Sequence, residues 1–442
     1  MTRQSSQGIL HERDRILSCV HCGLCLPACP TYVATGDEND SPRGRIYLMR
    51  QVQEEKLSID SQTFRKHIDR CLGCRACESE CPSGVEYGHL LEAARVSVEM
   101  ERPSGVANAF KNLVLKRIWP VDWRRRLLMF GGRVLRDSRI STVLISSRIV
   151  RLISHQADTA LRLLDASRPA KIAIRASPRN ETHSEQSQRS VTIFRGCTAD
   201  LLTSVDASVT RVLRVNGMET NVPGNQTCCG ALHAHAGFLE QARGLARRNI
   251  DAFAQTKGPI VTSAGGCGAM LVDYPHLLAA DGEYREAAID FAARVKDIGQ
   301  VLDNPRRVAV TSDERVAYDA SCHLLHGQHA AEESLGMLRA LEGLAIVPLE
   351  DANVCCGGAG IYNLLEPELS EAVLDTKIHQ IIDSEATIIA TANPGCHMQI
   401  SHGLARAGED AVRVCHPIEI LDHCYDSAGL YTKVRDDSSA TS

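Results

Sequence analysis

Nowhere in these 442 residues does an uninterrupted apolar run reach the ~18 to 20 residues that span a bilayer. Any membrane attachment is therefore expected to be peripheral or through a partner. The opening stretch MTRQSSQGILHERDR has no apolar signal region. An excess of one charge is lacking too: Lys+Arg 49 against Asp+Glu 54 leaves a net charge of -5, which gives no reason to expect a nucleic-acid partner. The dinucleotide fingerprint G-x-G-x-x-G is missing, since neither Gly265-Gly266-Cys267-Gly268 nor Gly357-Gly358-Ala359-Gly360 has its order. No flavin or NAD is expected on this chain.

Cysteine is abundant, at 18 residues. Disulfide scaffolds of that density are small and secreted, whereas this length holds two or three cores. The thiols are read as reduced, and the location as cytoplasmic or peripheral on the cytoplasmic face of the membrane. Two copies of C-x2-C-x2-C-x3-C-P account for eight of them, at Cys19, Cys22, Cys25, Cys29 and Pro30 and at Cys71, Cys74, Cys77, Cys81 and Pro82. Three thiolates two residues apart wrap one 4Fe-4S cubane, and the fourth, stiffened by proline, turns to the other cluster. One cluster is expected on Cys19, Cys22, Cys25 and Cys81, the second on Cys71, Cys74, Cys77 and Cys29. Zinc motifs pair C-x2-C units and have no use for the third cysteine.

Between the motifs, Ile46, Met49 and Val52 recur at helical spacing behind a Ser41-Pro42 start. This places the cysteines in a helical two-cluster ferredoxin domain over 10–100. Residues 101–166 read as basic amphipathic helix, with Trp119 and Trp123 beside Arg124, Arg125 and Arg126. That face either docks on acidic headgroups or a membrane-bound partner, or is a packed helical segment with solvated charges. The polar, proline-containing stretch 167–190 reads as a flexible linker.

The remainder is an internal repeat, 191–310 and 311–430. VTIFRGC, TCCG and PIVTSAGGC are answered by VAYDASC, VCCGG and IIATANPGC, the matching cysteines falling at 197 and 322, 228 and 355, and 267 and 396. Short β-branched runs at 191–194, 259–262, 315–318 and 388–391, with helical periodicity at 238–251 and 367–384, predict α/β halves. The whole chain is therefore expected to be α plus α/β. Each lone cysteine falls just past a strand, where sites collect in open sheets. The glycine after each cysteine pair allows a turn on which two neighbouring thiols serve one site. Four thiolates could thus converge per half: Cys197, Cys228, Cys229 and Cys267, then Cys322, Cys355, Cys356 and Cys396. They would suit an iron-sulfur cluster or zinc, or else be reduced thiols at an interface. Of the nearby histidines, His323 and His397 adjoin repeat cysteines, while Cys415 and Cys424 read as small buried hydrophobes.

Taken together, CVHCGLCLPACPTY, RCLGCRACESECPSGVEYGHLLE, NQTCCGALHAHAG, CCGGAGIYNL and ANPGC resemble the iron-sulfur subunit of bacterial glycolate oxidase. Heterodisulfide reductase subunits and the anaerobic glycerol-3-phosphate dehydrogenase iron-sulfur subunit are more distant likenesses. The resemblance implies partner flavoproteins that oxidise glycolate or a similar 2-hydroxy acid, and two 4Fe-4S clusters here that pass single electrons to a quinone or another acceptor. Heterodisulfide reductases carry a further cysteine per repeat, where this chain has Met270 and Gln399. That departure weighs against a thiol-disulfide reductase, the second reading; a non-catalytic iron-sulfur assembly or sensing protein is the third.

Overall fold

The computed structural model describes residues 8–103, 105–178 and 189–431. In its N-terminal module, Ser41 caps the helix Pro42–Gln53, its Oγ accepting from the Gly44 N–H at 3.0 Å. Pro42 occupies the first turn, where a missing N–H costs nothing. The predicted stripe Ile46, Met49 and Val52 is buried against Phe64 and Ile68 of helix Gln62–Asp69 and Leu90 of helix Tyr87–Met100. Each such side chain contributes about 1.5–3 kcal/mol on burial. Cys71 and Cys77 belong to the same core, so the cluster loops and the apolar packing form one unit.

Residues 106–165 are helical as expected, with Asp122–Asp137 the longest piece. Two of its arginines are neither solvated nor available to a docking surface. Arg125 is buried, donating to the Trp119 carbonyl at 3.3 Å and Thr227 Oγ1 at 3.4 Å. Arg136 is buried on the Ser167 carbonyl at 2.8 Å and the Leu201 carbonyl at 3.1 Å. Both pin this segment to the first repeat.

The strands among the described residues run β1 Arg175–Pro178, β2 Arg189–Ile193, β3 Met218–Asn221, β4 Ile260–Thr262, β5 Val295–Asp297 and β6 Val308–Thr311. They continue with β7 Arg315–Asp319, β8 Leu341–Glu342, β9 Ala345–Val347, β10 Ile388–Thr391 and β11 Arg413–Cys415. The first half forms a parallel sheet ordered β3-β2-β4-β5 and the second a parallel sheet ordered β9-β7-β10-β11. The two orders match strand for strand, so the cysteine repeat is a repeat of topology. In each sheet the chain changes direction between its first and third strands, β2/β4 and β7/β10, which opens a crevice at their carboxyl ends.

The stretch read as a flexible linker is ordered at both of its described ends. β1 pairs antiparallel with β6, which pairs in parallel with β8, forming a small third sheet across the boundary expected between the repeats. The Ala176 N–H also donates to Ser427 Oγ at 2.7 Å. An exposed edge strand held by backbone ladder bonds has no hydrophobic alternation to announce it. β2 likewise begins within that stretch, at Arg189, while 179–188 lie outside the described residues.

Candidate functional site

The two cysteine motifs wrap short loops and the one-turn helix Ala76–Ser79. Cys29 stands at the N-terminus of helix Pro30–Thr35 and is buried, as are Cys71, Cys74 and Cys77. These four line one small cavity, together with Arg45, Leu72 and Tyr87. Cys19 lies in the field of Cys81 and Cys22, and Cys25 in those of Cys19 and Cys29. Cys81 thus neighbours the first triplet, and Cys29 stands between the two, lining the cavity of the second. Burial, reinforced by neighbouring thiols, pushes Cys74 and Cys77 well above their usual range. Such groups lose their protons when a cation takes their place.

Donors are already aimed at the sulfurs. The Gly73 N–H lies 3.4 Å and the Tyr87 hydroxyl 3.6 Å from Cys71 Sγ, and the Val85 N–H 3.4 Å from Cys81 Sγ, while Thr31 Oγ1, which donates to the Asp40 carbonyl, lies 3.3 Å from Cys29 Sγ. Arg45 is fully buried on the cavity wall, its Nε donating to the His67 carbonyl at 2.6 Å and its Nη2 to Thr31 Oγ1 at 3.1 Å. Its Nη1 is buried with no hydrogen-bond partner among the described residues. Burial works against its charge, yet the fields of Cys71, Tyr87, Cys29 and Asp40 outweigh that and raise its pKa. An orphaned guanidinium nitrogen on a wall of four thiols fits an anionic iron-sulfur occupant. Asp40 completes the arrangement, receiving His67 Nδ1 at 2.8 Å and Arg70 Nη1 at 3.0 Å.

This buried cation should favour the reduced, more negative state of the cluster beside it. Arg45→Met is therefore expected to lower that cluster's midpoint potential by on the order of 50–100 mV, with Arg45→Lys in between. Asp40 keeps His67 and Arg70 in the variant, so the carboxylate is not left unpaired. An EPR-monitored redox titration checks this, and unchanged potentials at full iron content would sink it.

In the repeats, every lone cysteine follows a crevice strand: Cys197 after β2, Cys267 after β4, Cys322 after β7 and Cys396 after β10. The cysteine pairs follow β3 and β9, and turn at Gly230 (φ 95°) and Gly357 (φ 80°), where a Cβ on Gly357 would meet the Ser370 carbonyl at 2.5 Å. The thiols then touch in the same sequence twice, 197 to 228 to 229 to 267 and 322 to 355 to 356 to 396. Cys356 Sγ lies 3.2 Å from Cys396 Sγ, and Asn393 Nδ2 lies 3.4 Å from the latter. Hydrogen bonds from Cys197 and Cys229 hold Cys228 well below the usual thiol range, and those from Cys355 and Cys396 do the same for Cys356. Each half therefore presents a convergent thiol quartet, a donor set suited to a thiophilic metal.

The histidines divide. His323 Nδ1 lies 3.6 Å from Cys322 Sγ. His397 instead lines a cleft between the repeats with Phe194, Ser263, Asn393 and His416, and burial pushes it down to about 4. The His233 Nε2–H donates to the Leu115 carbonyl at 2.6 Å, and His326 pairs with Ser79 at 2.7 Å. His235 lies 3.4 Å from Glu92. Cys415 and Cys424 are buried in the shared core, as expected. Gln399, one turn past Cys396, bonds Asn363 at 2.9 Å and Ser370 at 3.0 Å, and Met270 is core. Neither supplies the additional thiolate of a heterodisulfide-type centre.

Sequence reasoning missed Arg45, Asp40 and His67, polar residues that stand in or just ahead of helices and show no local pattern of their own. It also missed that Cys74 shares an apolar cluster with Cys322, Cys355 and Tyr362. The module is fastened there, the Tyr362 hydroxyl donating to the Arg70 carbonyl at 2.9 Å, and again where His89 meets Asp273 at 3.0 Å. The second quartet is thus seated directly against the loop of the second motif.

Comparison with known proteins agrees with this architecture. A 4Fe-4S dicluster domain family matches residues 15–85, and a cysteine-rich domain family matches 191–272 and again 316–401. A probable glycolate oxidase iron-sulfur subunit of Bacillus subtilis (strain 168) is 35% identical over 93% of this chain and 94% of its own length. The glycolate oxidase iron-sulfur subunit of Escherichia coli (strain K12) is 33% identical over 96% of this chain and 97% of its own. Lactate utilization protein A of Geobacillus thermodenitrificans is 34% identical, with 53% of this chain matching 98% of that protein.

Proposed function

We infer the function from one premise, that this chain belongs to the family of glycolate oxidase iron-sulfur subunits. It is the electron-transfer subunit of an oxidoreductase and carries 4Fe-4S clusters. We assign Cys19, Cys22, Cys25 and Cys81 to one cluster and Cys71, Cys74, Cys77 and Cys29 to the other. When bound, each cluster takes up and passes on one electron at a time.

The rest is performed by the protein's own groups. Eight thiolates fix the two centres. Gly73, Val85, Tyr87 and Thr31 place hydrogen-bonding groups at the cysteine sulfurs, and Arg45 holds a positive charge beside Cys29 and Cys71. Leu72, packed with Cys74 and Tyr362, keeps water from the side that meets the second repeat. The electrons come from flavin-containing subunits that oxidise glycolate or a related small 2-hydroxy acid, and leave to a quinone reached from the cytoplasmic face of the membrane. We extend the assignment to the repeats, where each quartet is a four-thiolate metal site.

The observation that carries this reading is the entry of Cys29 into the cavity of Cys71, Cys74 and Cys77, walled by an arginine with an unpartnered nitrogen. The test is to co-purify the chain anaerobically with its flavoprotein partners and add glycolate. The visible iron-sulfur absorbance should bleach and an EPR signal of reduced clusters should grow. Clusters that dithionite reduces but glycolate does not would remove the electron-transfer assignment.

A further inference from the structure

The helix Asp122–Asp137 has an unusual outer face. Trp123, Leu127, Phe130 and Val134 stand at i, i+4, i+7 and i+11, one stripe along the helix, and are 64%, 62%, 53% and 51% exposed. The buried anchors Arg125 and Arg136 lie on the opposite face, so the apolar stripe points away from the body of the protein. Arg126 and Arg133 flank the stripe on one side and Arg124 on the other. Arg124 sits 5.3 Å from the ring centre of Trp123, and Arg133 sits 5.6 Å from that of Phe130. None of these three arginines makes an ion pair among the described residues.

A second apolar projection follows on the short helix Ile149–Ile153. Leu152 and Ile153 are 87% and 81% exposed, the highest values for large hydrophobic side chains among the described residues. They too stand beside exposed arginines, Arg148 and Arg151. No helix among the described residues is long and apolar enough to cross a membrane.

We propose that this helical segment is a docking surface for an anionic phospholipid bilayer. Trp123, Leu127, Phe130 and Val134 enter the boundary between headgroups and acyl chains, and the flanking arginines meet the lipid phosphates. Charge complementarity selects this occupant. In a chain of net charge -5, the positive charge of Arg124, Arg126 and Arg133 is gathered around one apolar stripe with no carboxylate paired to it among the described residues, which complements anionic headgroups. Apolar insertion and electrostatic attraction are the two contributions that hold an interfacial helix. The proposal deepens the peripheral-membrane part of the functional reading and is independent of how electrons reach the clusters.

The test uses the cluster-loaded chain and sedimenting vesicles of phosphatidylcholine, alone or with about one third phosphatidylglycerol. Binding should be about tenfold or more stronger to the anionic vesicles and should fall as salt rises. The double variant Leu127→Asp/Phe130→Asp should lose it. The triple variant Arg124→Gln/Arg126→Gln/Arg133→Gln should weaken it about tenfold or more and flatten its salt dependence. Leu127, Phe130, Arg124 and Arg126 are exposed and Arg133 is half-buried, so iron content and helicity should equal those of the parent. No preference for anionic vesicles, or binding unchanged in both variants, overturns the proposal. So does loss of the flavoprotein partners by variants that still bind vesicles, which would make the face a protein interface. If docking fails while glycolate still reduces the clusters, the docking surface falls and the electron-transfer assignment stands.

Discussion

Cys29→Ala is expected to empty the site of Cys71, Cys74 and Cys77 and to leave the cluster of Cys19, Cys22 and Cys25 in place. By position in the chain, Cys29 belongs with the first triplet. By place in the fold it lines the cavity of the second, beside Arg45 and Tyr87. Iron bound to the N-terminal module should fall from about eight to about four per chain. The EPR signal that survives should match the survivor in Cys77→Ala and differ from the survivor in Cys81→Ala. Glycolate-driven reduction of the acceptor should drop to background, because half of the conduit is gone. Stability should fall as well, since binding free energy at a metal-dependent core is folding free energy. If the Cys29→Ala spectrum instead matches that of Cys22→Ala, the crosswise assignment is wrong.

The second large effect is expected in the repeats. Cys229→Ser and Cys356→Ser each remove a thiol that touches two others in its quartet. The parent chain should carry metal beyond the about eight irons of two cubanes, as iron or zinc, and each variant should lose one site's share of that excess. Serine nearly preserves the shape, so the loss should come without unfolding. Because Cys322 and Cys355 pack with Cys74, the Cys356→Ser change should also disturb the EPR signal of the neighbouring cluster, while Cys229→Ser should not. A parent with about eight irons and no zinc, unchanged in both variants, would remove the metal site from the repeats.

The parts of this architecture that were legible beforehand are those written in local pattern. Ser41-Pro42 ahead of Ile46, Met49 and Val52 announced a capped amphipathic helix because the cap and the stripe lie within one segment. The glycines after both cysteine pairs announced left-handed turns, because few other residues accept that backbone. Placing the lone cysteines at strand ends followed from short β-branched runs, and matching strand orders explain why the two halves agree. The parts that were not legible depend on residues distant in the chain. Arg45 reads as a polar interruption in a helix until His67, Thr31 and Asp40 are folded around it. β1, Arg-Ala-Ser-Pro, is largely exposed, has no apolar alternation, and exists because β6 offers it a ladder. The contact of Cys74 with Cys322 joins two domains whose local patterns say nothing of each other.

The interleaving of the two motifs also bears on how the protein is made. With the ligands assigned crosswise as proposed, Cys29 is synthesised well before the residues that share its cavity, so the nascent N-terminal motif emerges with one thiol meant for a site that does not yet exist. Neither centre can be completed until translation has passed Cys77 and Cys81. Iron delivery is therefore a late event on a nearly whole ferredoxin module, and scarcity of iron should leave chains open across both motifs together, not half assembled from one end.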